Sequence, residues 1–182
     1  MYNKFKIYSE YDKCLRKKNE NIVFPLSDYE KKMIKDMLIH LRYSQIPKKS
    51  EQYDLRPGMG LAAPQVGINK KFFVVVHEVS DGVFDDYVLI NPKLISHSEE
   101  LIYASGGEGC LSVERPVDGI TPRYARVTMQ GYDIDGNLIK IRGREELAIA
   151  MQHEFDHLNG IMFYDKIDPK NPFKNQKYMR EI

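Results

Sequence analysis

The sequence predicts an α+β protein with largely antiparallel sheets, an amphipathic helix near its start and a second helix towards its end. Three observations carry this. An apolar stripe at helical spacing follows a capping signal at Ser27. Several strand patterns then stand next to one another, separated by turn residues and not by helices, which favours antiparallel pairing over βα units. A stretch free of Gly and Pro, 144–158, precedes Gly160, which stands where a helix would terminate.

The elements follow in order. Ser27 and Glu30 make a capping box, and Met33, Ile34, Met37, Leu38 and Leu41 share one face, so a helix is expected over 28–44. Segment 46–57 is polar and punctuated by Pro47 and Pro57, which predicts a loop. Segment 58–67 is irregular and Gly-rich. Strands are expected at 72–79 and 87–90, joined by a turn at Asp81-Gly82, with Asn91-Pro92 ending the second. Further strands are expected at 93–97 and 101–104. Segment 124–132 alternates, with Val127 and Met129 on one face. Asp135-Gly136 then makes a hairpin turn to a strand at 138–141.

Composition narrows the class. The 182 residues show no linker and no repeat, so residues 1–182 are expected to form one domain. A chain of this length buries roughly 70% of its unfolded surface and needs no covalent staple. Lys plus Arg is 27 and Asp plus Glu is 26, a net charge of +1. That balance argues against a partner recognised through its phosphate backbone, and no direct, sequence-specific contact with nucleic acid is expected. The 12 tyrosines make no stacking pattern for bases. Two cysteines, Cys14 and Cys110, do not make a disulfide framework, which points to a reducing cytoplasm. Segment 1–20 mixes Lys4, Lys6 and Lys13 with Glu10 and Asp12 and lacks the apolar run of a secretory signal. The longest apolar runs, such as 72–76 and 147–151, fall far short of the about 20 residues of a membrane span.

The chemistry concentrates in His153-Glu154-Phe155-Asp156-His157. Side chains four apart share a helix face, so His153 and His157 can point at one ion. Glu154 lies beside that ion, free to take a proton from water. The plainer alternative is two histidines on a helix surface. A catalytic site also needs a third protein ligand. Downstream, Asp165 and Asp168 offer oxygen. Upstream, Cys110 offers a thiolate, although a lone cysteine reads more readily as a small buried apolar residue. Cys14, His40, His77 and His97 read as background.

Three segments together resemble one family. Gly58-Met59-Gly60-Leu61-Ala62-Ala63-Pro64-Gln65 is similar to its G-x-G-L-A-A-x-Q motif. Glu108-Gly109-Cys110-Leu111-Ser112 matches E-G-C-L-S, and Gln152-His153-Glu154-Phe155-Asp156-His157-Leu158 matches Q-H-E-x-D-H-L. By these motifs, complete and in order, the chain resembles the peptide deformylases, in particular their Gram-positive, type 2 branch. The valine after the second motif and the long stretch between the first two carry the branch. The short segment after the third motif lacks the extended C-terminal helix of type 1.

The resemblance implies antiparallel sheets packed around a central C-terminal helix that carries H-E-x-x-H. It implies hydrolysis of the N-formyl group from the N-terminal formylmethionine of new polypeptides, releasing formate. Cys110, His153 and His157 would bind one divalent metal ion, natively ferrous iron, for which zinc, nickel or cobalt can substitute. Glu154 would be the general base. The Gln65 side-chain amide and the Leu111 backbone N–H would stabilise the developing oxyanion. Gly60 would hydrogen-bond the substrate backbone, and Gly109 would lie along it. Met59, Ile149 and Ala150 would line a pocket for a methionine side chain, with core packing as the plainer role of the last two. Glu108 and Asp156 are candidate acceptors behind the histidines. For Glu108 the favoured role is an ion pair with Arg115 or Arg123. The implied setting is a monomer in the bacterial cytoplasm that meets an N-formylmethionyl peptide, with the translating ribosome as a partner and no membrane.

Overall fold

A computed structural model describes residues 4–182; the part of the N-terminal reading that falls on residues 1–3 lies outside the described residues. Helix α1 spans Asp28–Gln45, α2 Pro47–Tyr53 and α3 Glu145–His157. The strands are β1 (Gly60–Ala62), β2 (Phe72–Ser80), β3 (Val83–His97), β4 (Leu101–Tyr103), β5 (Arg123–Tyr124), β6 (Arg126–Tyr132), β7 (Leu138–Arg144) and β8 (Arg180–Glu181). Five strands form an antiparallel sheet in the order β1-β2-β3-β6-β7. A smaller sheet runs β5-β4-β8, in which β4 and β8 are parallel.

The apolar run 72–76 is continuous because β2 is covered on both faces. Phe72, Val74 and Val76 pack with Met33, Ile34, Met37 and Leu41 of α1. Phe73 and Val75 pack with Leu147, Ala148 and Met151 of α3. The period of two sends alternate residues to opposite sides, and each side has its own helix to bury against. At about 25 cal/mol per Å² of apolar surface removed from water, these two layers are the main stabilising contribution of the fold. Helix α3 is thus central, between the large sheet and β5, as the resemblance implies.

The termini of both long helices follow their sequence signals. The Ser27 backbone N–H donates to Glu30 Oε2 at 2.8 Å, and the Glu30 N–H donates to Ser27 Oγ at 3.2 Å. Past α3, Gly160 adopts φ +75°. Its N–H donates to His157 O, and the Ile161 N–H donates to Asp156 O, a Schellman ending that satisfies carbonyls of the last turn.

Three expectations need correction. Residues 46–57 are not all loop, because Pro47 sits at the first helical position, where its missing N–H is harmless, and starts α2. Asn91-Pro92 does not end a strand. The register of β3 shifts there between Ile90 and Lys93, and pairing with β6 resumes beyond. Asn91 takes φ +50°, and its side chain accepts from the Ile22 N–H at 2.8 Å and donates to Ile22 O at 2.9 Å. The bulge places a proline where no ladder hydrogen bond is required. Finally, the expected strand 124–132 is divided at Ala125 into β5, in the small sheet, and β6, in the large one.

His40 is buried in α1 at 4% exposure, its ring centroid 5.1 Å from that of Phe5. Burial, with a smaller contribution from nearby Lys4, pushes its pKa down from 6.5 to about 4. Between these values the unfolded chain holds the proton and the folded chain does not. Stability present above pH 6.5 is therefore lost as pH falls towards 4, by at most about 3 kcal/mol. The difference in unfolding free energy between pH 7 and pH 4.5, measured with urea, should be about 2 kcal/mol smaller in His40→Leu.

Candidate metal centre and substrate cleft

Helix α3 carries His153 and His157 one turn apart on a common face. Cys110 arrives on the turn between β4 and β5. Its Sγ lies 3.3 Å from His157 Nε2, which lies 3.2 Å from His153 Nε2. One ligand atom from each of these three buried residues falls within 4.8 Å of the other two.

Two chains of contacts fix the set. On one side, Arg123 is 1% exposed and donates through Nε and Nη2 to Glu108 at 2.6 and 2.9 Å, and through Nη1 to Asp156 at 2.5 Å. Glu108 Oε2 in turn lies 2.9 Å from His153 Nδ1. Burial alone would raise the Glu108 pKa, but the Arg123 charge and hydrogen bonds, aided by His153, outweigh it and hold the acid at about 2. An ionised carboxylate can only accept, so His153 Nδ1 carries the proton in that bond. In the neutral imidazole, Nε2 is then left as a lone-pair donor. Glu108 therefore does both things considered for it, and its cation is Arg123. Arg115 pairs instead with the buried Glu10. Asp156 reaches no histidine, because Arg123 and Lys166 take its carboxylate.

On the other side, the cysteine turn is held by its backbone. The Val113 N–H donates to Cys110 O, and the Glu10 N–H donates to Ser112 O. Arg56 Nη2 donates to Cys110 O at 2.8 Å and to Val113 O at 3.0 Å.

The donor set fits a cation. Two imidazoles and a thiolate are characteristic ligands of a divalent transition metal. His153 is shifted upwards: burial opposes its protonation, but hydrogen bonds with Cys110 and Glu108 and the charges of Cys110 and Glu154 outweigh that. His157 is shifted downwards by burial and by His153 beside it. Asp165 and Asp168, the alternative third ligands, are bound to Arg16 and Lys174.

Glu154 is 3% exposed, and its Oε2 has no hydrogen-bond partner. Burial pushes its pKa up to about 7, against the lowering effect of His153. Gly60 makes room for it: a Cβ there would run into the carboxylate and stand 2.7 Å from Glu154 Cγ. Gln65 is held on the first turn after β1. Its Oε1 accepts from the Ala62 N–H at 2.8 Å, which turns Nε2 towards Ser112 Oγ at 3.2 Å and Cys110 Sγ at 3.5 Å.

These groups open on a cleft of about 480 Å³ lined by Met59, Gly60, Gln65, Gly109, Cys110, Leu111, Ile149, Ala150, His153 and Glu154. His157 is deeper, at 1% exposure. Every site residue expected from the sequence thus falls at one place. Ile149 and Ala150 serve both readings, since they face the cleft and pack in apolar clusters. Sequence reasoning missed Arg56, Ser105, Glu146 and Ile182, which also line the cleft, and Ser112, which sits beside Gln65. Ser112 was within reach as part of the second motif. Ile182 had no local signal. The background residues stay outside the cluster: His97 stacks on Tyr124, His77 lies 3.9 Å from Glu146, and Cys14 packs at the edge of an apolar cluster.

The known proteins similar to this chain point to one family. The polypeptide deformylase family profile matches residues 4–173. Peptide deformylase 2 of Bacillus anthracis is 47% identical over 167 residues, covering 92% of this chain and 91% of the relative. Peptide deformylase 2 of Bacillus subtilis is 48% identical over 161 residues, 88% of each chain. Among solved structures, the peptide deformylase of Thermotoga maritima superposes with a TM-score of 0.72 at 31% identity, over 92% of this chain and 100% of the other. A plant peptide deformylase superposes with a TM-score of 0.74 at 29% identity, over 93% and 84%. This chain belongs to the peptide deformylase family, of the Gram-positive type, whose members use a single divalent metal to remove the N-formyl group from nascent polypeptides.

Proposed function

We propose that deformylation takes place in this cleft, with Cys110, His153 and His157 as the metal ligands and Glu154 as the general base. The observation that carries the proposal is the convergence of three ligand-type donors with a buried carboxylate that has an unpartnered oxygen. A divalent ion held there would supply a Lewis acid that polarises water and the formyl carbonyl. Glu154 takes a proton on its carboxylate from the attacking water and passes it to the leaving amine nitrogen. A pKa near 7 suits a group that must accept and then return a proton. The Gln65 Nε2 and the Leu111 N–H donate to the formyl oxygen as charge develops on it, and because both are fixed beforehand they need little reorganisation. The peptide lies along Gly60 and Gly109. Strand β1 is the edge of the large sheet, so its free side can pair with an extended chain. Met59, Ile149 and Ala150 receive the methionine side chain.

The ion is ferrous iron, and zinc, nickel or cobalt can replace it. The enzyme acts as a monomer in the cytoplasm, where formylated chains emerge from the translating ribosome. No helix among the described residues is long and apolar enough to cross a membrane.

Glu154→Gln should lower kcat for formate release from a formyl-Met peptide by about a hundredfold or more while keeping one divalent ion per chain. Undiminished turnover with the ion bound would remove Glu154 from its role. Gly60→Ala should fold yet lose about a hundredfold in kcat, because its Cβ displaces the Glu154 carboxylate. An unchanged kcat would show that the carboxylate need not lie against Gly60. Protein prepared without oxygen should contain iron by elemental analysis. In air the iron form should lose activity faster than a nickel-loaded form, since a ferrous ion on a thiolate is open to oxidation. Equal half-lives would argue against that ligation.

A further inference from the structure

Strand β8 is exposed on both of its residues, yet it is anchored at every position. Arg180 pairs with Glu145, at the start of α3, at 2.8 and 2.9 Å, and its Nε donates to Glu100 at 2.9 Å. Glu181 accepts from the Tyr103 and Ser105 hydroxyls, each at 2.8 Å. The Ile182 N–H donates to Tyr103 O at 3.1 Å, and the Ser105 N–H donates to Ile182 O at 2.7 Å. The exposed side chains of β8 bury little apolar surface. What the anchoring achieves is the placement of Ile182, which packs against Ile102, Ala125 and Ile149 and lines the cleft beside Ile149 and Ala104.

We propose that Ile182 forms a wall of the pocket that takes the first side chain of the substrate and sets the size of side chain admitted. The inference rests on the reading of the cleft given above. Ile149 is shared between the cluster that seats Ile182 and the lining of the cleft, so the two side chains form one apolar surface. Such a surface accepts an unbranched apolar side chain by dispersion and desolvation, and its position limits how bulky that side chain can be. The apolar cluster that holds Ile182 consists of Ile102, Ala104, Ala125 and Ile149, none of them a proposed ligand or the base. Ile182 therefore acts on which side chain fits and leaves the chemistry of the formyl group alone.

The test is steady-state kinetics on metal-loaded protein with formyl-peptides that differ only in the first residue: Met, Ala and Phe. Ile182→Ala should raise kcat/KM for formyl-Phe relative to formyl-Met by about tenfold, with the change in KM. Ile182→Trp should lower kcat/KM for formyl-Met relative to formyl-Ala by about tenfold. The two variants change side-chain volume in opposite directions, so loosening of β8 cannot mimic both results. Ratios unchanged in both, or all substrates slowed equally with reduced kcat, would overturn the assignment and leave Ile182 a packing residue. Failure of the unsubstituted protein to release formate from any of the peptides would refute the reading of the cleft itself.

Discussion

Arg123 comes from the strand that borders α3, and it is buried between one carboxylate on the cysteine turn, Glu108, and another on the helix, Asp156. The turn and the helix are distant in sequence, and this guanidinium ties them together. Removing it would leave Glu108 charged, buried and without its cation, which costs about 3–5 kcal/mol in comparable sites. The opposite bookkeeping also holds, since exchanging a whole buried ion cluster for apolar groups is often neutral or stabilising. The cluster is thus poorly explained as a device for stability. It is well explained as a device for position, because the planar fork of Arg123 fixes Glu108, and Glu108 fixes the ring of His153 and its tautomer.

The same arrangement separates two buried acids. Glu108 and Glu154 both lie against His153, and burial raises both. Glu108 has Arg123 in direct contact and is held at about 2, whereas Glu154 has no such partner and stands at about 7. Carboxyls whose surroundings push them apart in this way take different tasks. One remains a fixed negative charge behind a histidine. The other can exchange a proton near neutral pH. A glycine at position 60 leaves room for the Glu154 carboxylate, since a Cβ there would stand 2.7 Å from Glu154 Cγ.

Local signals specify structure where short-range physics decides the outcome. The capping box at Ser27, the Gly160 ending, the Asp135-Gly136 turn and the i,i+4 histidines depend on neighbours within a few residues, and each was legible. Cys110 was not legible from its own surroundings, where it looks like a small apolar residue; its motif supplied the assignment, and the fold brought it to within 3.3 Å of His157. Two strand readings failed for a shared reason. Asn91-Pro92 looks like a stop and Ala125 looks like mid-strand. What decides them is tertiary: the pair of hydrogen bonds between Asn91 and Ile22, and the passage of one strand pattern between two sheets. The start of α2 at Pro47 was a local signal misread, because a proline that breaks a helix interior is well placed at the first turn.

The cleft divides along the same line. Its proposed reacting groups come from three short segments, and α3 alone supplies two of the proposed ligands and the proposed base. Its walls come from β1, the turn after β4, the side of α3 and the residue after β8. A change in a wall such as Ile182 leaves the contacts among Arg123, Glu108 and His153 untouched. A change in that ion cluster shifts the donors themselves. Substrate preference in this protein can therefore vary through residues with no local signature, while the reacting groups stay within a narrow geometry that a few close-spaced motifs specify. The side-chain pocket is the part of the site that sequence motifs describe least, because its shape is set by residues that meet only when the small sheet closes against α3.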